Sequence, residues 1–277
     1  MSTLLRGAPV AERLTLDLSR RSAALRHRGV IPTLAILRVG SSPGDLAYEK
    51  SAAARCARCG IEVRHLTWEN AGALADAIRA VNADPSIHGC LLLRPLADRA
   101  AEAAAGQLLL PDKDVDGMTP GSLAGLLTGQ SGFAPCTAQA CLELLDYYEV
   151  PLAGRRAVVV GRSLVVGQPA ALLLQRRNAT VTVCHTGTRD IPALCREADV
   201  LIAAAGQPGL ITADCLRPGQ TVLDVGVHPG PDGTLYGDVA AEAAARDVAL
   251  TPVPGGVGSV TSAVLCKHTV QAAEKTL

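Results

Sequence analysis

The amino-acid sequence predicts an α/β fold in two domains, each built on a mostly parallel sheet with helices against its faces. Three observations point to it. Short runs of Val, Leu and Ile alternate with longer Ala-rich amphipathic stretches, the rhythm of repeated strand–helix units. The rhythm restarts past residue 150, where a buried strand runs into a glycine turn and a helix, the opening of a Rossmann-type unit. The apolar residues are mostly small: 27 Gly beside one Phe, one Trp and four Tyr suits helices packed closely on a sheet.

In chain order, an amphipathic helix is predicted over 8–28 and a strand over the apolar run 33–39. A helix at 45–59 leads to a strand at 62–67, and a helix at 71–81 to a short buried strand at 89–93. An Ala-rich helix covers 99–110, and the domain border falls near 135–140, at the helix carrying LELLDYY. The second half begins with a strand at 157–160 ending at Gly161, a helix at 167–176 and a strand at 180–185. Strands at 200–205 and 221–227 each reach a glycine, Gly206 and Gly226. A short strand at 248–251 and a helix at 262–275 complete the chain.

The 277 residues suit one large domain or two modest ones. Lys plus Arg, at 26, equals Asp plus Glu, at 26, so bulk charge recruits no polyanion. Stacking on single-stranded nucleic acid needs aromatic side chains, which are scarce. Nine scattered cysteines make a poor disulfide framework, and reduced, buried thiols are expected. Cys56 and Cys59 form a CxxC inside a helical stretch with no second pair at metal spacing, so they are expected to pack the helix. The first residues lack a signal-peptide core, and no apolar run reaches the roughly 18 residues of a membrane span. A soluble, cytoplasmic protein is expected.

The segment VVVGRSLVVGQP joins the strand at 157–160 to the next helix. A tight turn there, through Gly161, Arg162, Ser163, Val166 and Gly167, exposes backbone N–H groups and a positive helix end to a pyrophosphate. The spacing is GxSxxVGxP rather than GxGxxG, and taken alone it fits a packing turn as well. About 20 residues on, an NAD site places a carboxylate for the ribose. Here the second strand ends in His185 and Thr186, with no acid before Asp190. Hydroxyls and the Arg162 guanidinium suit a 2′-phosphate, so the expected cofactor is NADP.

Together, VVVGRSLVVGQP, DKDVDG at 112–117 and TPVPGGVG at 251–258 resemble the methylenetetrahydrofolate dehydrogenase/cyclohydrolase (FolD) family. Val39-Gly40, Tyr48, PCT at 135–137, AxGQP at 204–208, DVG at 224–226 and GDV at 237–239 follow the family's order over nearly the whole chain. The resemblance implies a folate-binding catalytic domain, 1–138 plus 262–277, and an NADP-binding Rossmann domain, 139–261. It implies hydride transfer from 5,10-methylenetetrahydrofolate to NADP, then hydrolysis of the methenyl product, by a homodimer. Asp116 takes the place of the aspartate that hydrogen-bonds the pterin, and Tyr48 that of the tyrosine packing over the folate. Pro254, Gly255 and Gly256 belong to the loop where nicotinamide and folate meet. Gly206, Gly226 and Val227 join the cofactor set.

The chain departs from the family's pattern mainly on the folate side. The catalytic lysine, four residues after the tyrosine, is Ala52, and its partner glutamine, read without gaps, is Leu93. Gly44-Asp45, Ala138 and Ser259 replace other family residues. Lys50 is two residues from Tyr48, about 200° around the helix, and reads as solvent-facing. Arg94 follows Leu93 and faces the opposite side of the strand unless the strand ends or bulges there. Asp45 reads first as a helix N-cap. Hydride transfer depends mostly on positioning, whereas hydrolysis needs a side chain that moves a proton. The expected activity is therefore dehydrogenation with impaired hydrolysis. The alternatives are a bifunctional enzyme with repositioned groups and a repurposed NADP- or folate-binding protein.

Overall fold

A computed structural model describes residues 3–230 and 232–277. The chain divides into two compact units, one formed by residues up to Ala11 with Thr137–Thr261, the other by Glu12–Cys136 with Ser262–Leu277. The elements, in order, are β1 (Thr3–Leu4), α1 (Gly7–His27), β2 (Thr33–Val39), α2 (Pro43–Arg58) and β3 (Glu62–Trp68). Then come α3 (Leu74–Ala83), β4 (Gly89–Leu92), α4 (Arg99–Leu108), α5 (Pro120–Thr128) and α6 (Cys136–Tyr147). The Rossmann portion has β5 (Arg156–Val160), α7 (Gly167–Arg176), β6 (Thr180–Cys184), α8 (Ile191–Glu197), β7 (Val200–Ala203) and β8 (Thr221–Asp224). It ends with β9 (His228–Pro229), β10 (Leu235–Tyr236) and β11 (Ala249–Leu250), and α9 (Gly258–Glu274), most of which belongs to the other unit, closes the chain.

In the unit containing Glu12–Cys136, three parallel strands run β3-β2-β4, with Leu34 opposite both Val63 and Gly89. β2 lies in the middle with its first five residues buried, which explains its unbroken apolar run. Ser42 caps α2, accepting from the Asp45 N–H at 3.1 Å, and Pro43 occupies the first turn. Asp45 is therefore not the cap but its first-turn partner, accepting the Ser42 hydroxyl at 2.7 Å. Gly89 is the only residue that fits its place in β4: a Cβ there would lie 2.8 Å from Val115 Cγ1.

In the other unit, six parallel strands run β1-β11-β8-β7-β5-β6. β5 lies between β6 and β7, so successive crossovers leave it in opposite directions and open a crevice at the strand ends. Buried Val158, Val160, Leu201, Ala203 and Val222 share one core with Cys184, Cys195 and Cys215. All nine cysteines are buried free thiols, as expected of packing residues.

Several differences from the sequence expectations have local causes. β1 joins the Rossmann sheet by pairing Thr3 with Ala249 and Leu4 with Leu250, so the first residues group with that unit. β4 ends at Leu92, β7 at Ala203 and β8 at Asp224, each short of its predicted end, because the following residues turn into loops. α9 begins at Gly258 rather than 262. α5 was not predicted: its apolar residues show no helical stripe, but Thr119 caps it, Pro120 opens it and left-handed Gly129 closes it. Among the described residues no helix is long and apolar enough to cross a membrane.

Candidate functional site

In the unit with the three-stranded sheet, a cavity of about 260 Å³ is lined by Asp45, Tyr48, Leu91, Leu92, Leu93, Arg94 and Asp116. Its volume lies below the roughly 300–1,000 Å³ of a whole drug-sized ligand, which leaves room for one end of a larger molecule. α2 brings Asp45 and Tyr48 to it, and the end of β4 brings Leu93 and Arg94. The DKDVDG turn supplies Asp116. Buried Asp114 shapes that turn by accepting from the Met118 and Thr119 N–H groups at 3.0 and 2.7 Å. Gly117, at φ 71°, admits the close passage of Pro135, whose nitrogen would lie 2.5 Å from a Cβ.

Arg94 turns toward Asp116, its Nη2 lying 3.4 Å from Asp116 Oδ2, with Nη1 3.9 Å from Glu102 Oε1. The strand ends at Leu92, which releases Arg94 from alternation and fulfils the condition for it to face inward. Leu93 is still held, its N–H donating to Leu37 O at 2.9 Å. Burial is the main influence on Asp116 and raises its pKa to about 6, against the opposing pull of Arg94. The protein around the Tyr48 hydroxyl, and then the Asp116 charge, push that phenol up, so it stays protonated at neutral pH. Ala52 is buried at 1% exposure, and Lys50 is exposed and outside the cavity lining.

Behind α2, Glu49 is pinned by Arg38 Nε at 2.6 Å and His65 Nδ1 at 2.5 Å. Burial works against its ionisation, but these two partners outweigh it and hold the carboxyl below its ordinary range. The arrangement ties α2 to β2 and β3 and so fixes the helix that carries Tyr48.

In the other unit, a second cavity opens at the ends of β5, β6 and β7. Val160, Gly161, Arg162, Ser163, His185, Thr186, Ile191, Ala204, Ala205, Gln207 and Leu210 line it. The glycines make a close cradle: a Cβ on Gly161 would lie 2.0 Å from Ala204 O, and one on Gly167 2.1 Å from Gly161 O. Ser163 Oγ accepts from the Val166 N–H at 3.2 Å at the start of α7, where no acidic residue stands. Backbone donors and the positive helix end suit a diphosphate, and no carboxylate is among the lining residues. The His185 turn is closed by Thr188 Oγ1, which accepts from His185 N–H at 2.9 Å, and by His185 Nδ1, which accepts from Gly187 N–H at 3.1 Å. The residues therefore fit an adenine dinucleotide with a 2′-phosphate.

The loops beside this cavity hang on two buried aspartates. Asp224 accepts from the N–H groups of Gly226, Asp238 and Val239 at 3.1, 2.9 and 3.0 Å. Asp238 accepts from Ala205 and Gly206 at 2.6 and 3.0 Å and meets His228 Nε2 at 2.8 Å. The glycines of DVG and GDV are steric necessities: a Cβ at Gly226 or Gly237 would lie 2.2 or 1.8 Å from an aspartate oxygen. Burial raises the Asp224 pKa to about 6 despite its donors.

Of the residues predicted from sequence, Tyr48, Leu93 and Asp116 share the first cavity, and Gly161, Arg162, Ser163, His185 and Thr186 the second. Val166 and Gly167 open α7 behind the turn, and Gly206 and Gly226 are held by the aspartates. Val227 is 55% exposed and outside the lining. Pro254, Gly255 and Gly256 lie in the Rossmann-containing unit, where Gly7 N–H donates to Gly255 O at 2.8 Å. Sequence reasoning missed Ile191, Gln207 and Leu210, although Gln207 stands inside the quoted AxGQP segment.

Comparison with known proteins agrees with both halves. Residues 5–116 match the tetrahydrofolate dehydrogenase/cyclohydrolase catalytic domain, and residues 135–277 match that family's NAD(P)-binding domain. The bifunctional protein FolD of Carboxydothermus hydrogenoformans is 45% identical over 99% of this chain and 98% of its own. The crystal structure of the bifunctional FolD enzyme of Campylobacter jejuni superposes with a TM-score of 0.94 at 37% identity, covering 100% of both chains. FolD from Trypanosoma brucei, solved with NADP cofactor and inhibitor, gives 0.90 at 32% identity over 99% of this chain and 98% of that one.

Proposed function

The chain belongs to the tetrahydrofolate dehydrogenase/cyclohydrolase family, and on that footing we propose that it oxidises 5,10-methylenetetrahydrofolate with NADP but hydrolyses the methenyl product poorly. Asp116 accepts from the N–H groups of the pterin, and Tyr48 packs over the folate. The turn through Gly161, Arg162, Ser163, Val166 and Gly167 holds the pyrophosphate, and Arg162, His185 and Thr186 receive the 2′-phosphate. Gly206, Gly226, Val227 and Pro254–Gly256 complete the cofactor and folate contacts. When bound, NADP supplies the hydride acceptor. The residues orient the methylene carbon and shield it from water, and positioning of that kind provides most of what hydride transfer asks of a protein.

Hydrolysis asks for more. Water added to the methenyl carbon must lose a proton to a nearby base. The single observation that carries the asymmetry is the lining of the first cavity, which contains neither a lysine nor a histidine. Leu93 has no titratable group, nor has Ala52 one turn beyond Tyr48. Arg94 carries a guanidinium, which donates hydrogen bonds and offers no acceptor. The Tyr48 phenol is pushed up, and Asp45 is engaged with the Ser42 hydroxyl. Asp116 titrates near neutrality but is committed to the pterin and paired with Arg94.

The same proposal makes the enzyme cytoplasmic and a closed two-fold homodimer. Its first test is NADP reduction on adding 5,10-methylenetetrahydrofolate, with NAD as the control. NADPH should form, and Tyr48→Ala and Asp116→Asn should lose it while still binding NADP. Tight NADP binding with no reduction by this substrate would overturn the proposal.

A further inference from the structure

The cavity holding Tyr48 and Asp116 contains one feature that the proposed hydride transfer leaves unused. Arg94 is a cation set one residue beyond the position where a neutral glutamine is replaced by Leu93. Its guanidinium is bracketed by Asp116 at 3.4 Å and Glu102 at 3.9 Å. Glu102 is fixed in turn, accepting from the Leu96 N–H at 2.8 Å. The Arg94 Nε is buried and has no hydrogen-bond partner. A buried donor left unpaired costs free energy, and a ligand acceptor would remove that cost. Besides Arg94 and Asp116, the cavity is lined by Asp45, Tyr48 and three leucines, and none of them is hydrogen-bonded to the Arg94 Nε.

The geometry points to Arg94 as a specificity-determining residue for the folate head: it donates to the 4-oxo group of the pterin while Asp116 accepts from N3–H and the 2-amino group. This rests on the folate reading of the cavity and adds to it a recognition rule. A carboxylate beside a guanidinium presents an acceptor next to a donor. The pterin edge presents the complement, donors at the 2-amino group and N3 and an acceptor at O4. A 4-amino-4-deoxy pteridine reverses two of these positions. Its 4-amino group would face the guanidinium donor to donor, and its N3 would face the carboxylate acceptor to acceptor. Sites that pair a substrate's polar group discriminate strongly against an analogue that cannot pair it.

The test needs no turnover. Tetrahydrofolate and its 4-amino-4-deoxy analogue are titrated calorimetrically into the full-length protein, its Arg94→Leu variant and its Arg94→Lys variant. Circular dichroism and NADP affinity serve as checks of folding. The wild-type protein should prefer the 4-oxo ligand. Arg94→Leu should weaken tetrahydrofolate by roughly 10- to 100-fold, the value of a charge-assisted bond, and change the analogue little. Arg94→Lys keeps a donor but loses the planar fork, and should fall between the two. If Arg94→Leu does not fold, the lysine variant still decides, since an unchanged preference there together with unchanged affinity would contradict a role for the fork. Equal weakening of both ligands would make Arg94 merely structural and overturn the inference. Failure of the wild-type protein to bind tetrahydrofolate would overturn both this and the folate reading. Normal wild-type binding with an unaltered Arg94→Leu variant would overturn this alone.

Discussion

Asp116 lies between Arg94 and Cys136, with Asp114, Cys90, Tyr48 and Asp45 as its other titratable neighbours and Glu102 behind Arg94. Its carboxyl is raised from 3.8 to about 6, so the native protein binds a proton there more readily than the unfolded chain does. The sign follows from linkage: stability from this group is present below pH 3.8 and is lost as pH rises through about 6. Asp116→Asn should therefore raise unfolding stability above pH 6 by roughly 1–3 kcal/mol, with the gap closing below pH 4, while activity is lost. Urea midpoints at two pH values check this; equal midpoints at pH 8 would contradict it. On the cofactor side, Arg162→Ala should weaken NADP by about 1.5–3 kcal/mol and NAD much less. Equal losses measured by titration would remove the reason for assigning the 2′-phosphate to Arg162. Tyr48 and Asp116, which line one cavity, are pointed to by the family resemblance and not by spacing alone. The inward turn of Arg94 was not legible, because it depends on whether β4 ends at residue 92 or 93, and one residue reverses the face of a strand.

At the scale of elements, the β8 and Gly237–Val239 segments interlock through Asp224, and the glycines are the points of closest approach. Gly237→Ala would place a Cβ 1.8 Å from Asp224 Oδ2. It should cost at least about 2 kcal/mol, through overpacking and lost hydrogen bonds to a buried carboxylate, and should weaken NADP binding as the Ala205–Gly206 loop loosens. Gly44 in α2 has open space around it, so Gly44→Ala should be neutral or stabilise by up to about 1 kcal/mol. Denaturant midpoints of the two variants should move in opposite senses or by very different amounts; similar losses would show that the glycines are not distinguished by these contacts. The interlock was visible in the sequence only as two short motifs, DVG at 224–226 and GDV at 237–239, in a segment without periodicity. By contrast β2, α7 and the β5 turn were legible to the residue or nearly so, because apolar runs and a strand–glycine–helix sequence leave little freedom. α5 escaped because its caps, Thr119-Pro120 and Gly129, are local signals while its apolar residues cover no single face.

At the scale of the whole molecule, each unit carries one cavity: in one a glycine cradle without a lining carboxylate, in the other the Tyr48–Asp116 cavity of the proposed folate site, with Leu93 in its wall. The proposed homodimer should sediment as a single two-fold species at micromolar concentration, and only monomer there would count against it. The most direct measurement follows NADPH and 5,10-methenyltetrahydrofolate together in one reaction started with NADP and 5,10-methylenetetrahydrofolate. The expected result is methenyl product accumulating in step with NADPH, lost only at the buffer rate. In the Ala52→Lys/Leu93→Gln double variant it should disappear faster, by more than either single change achieves, since coupled catalytic groups act non-additively. Methenyl hydrolysis by the unmodified protein well above the buffer rate would contradict the claim that the cavity has lost its base.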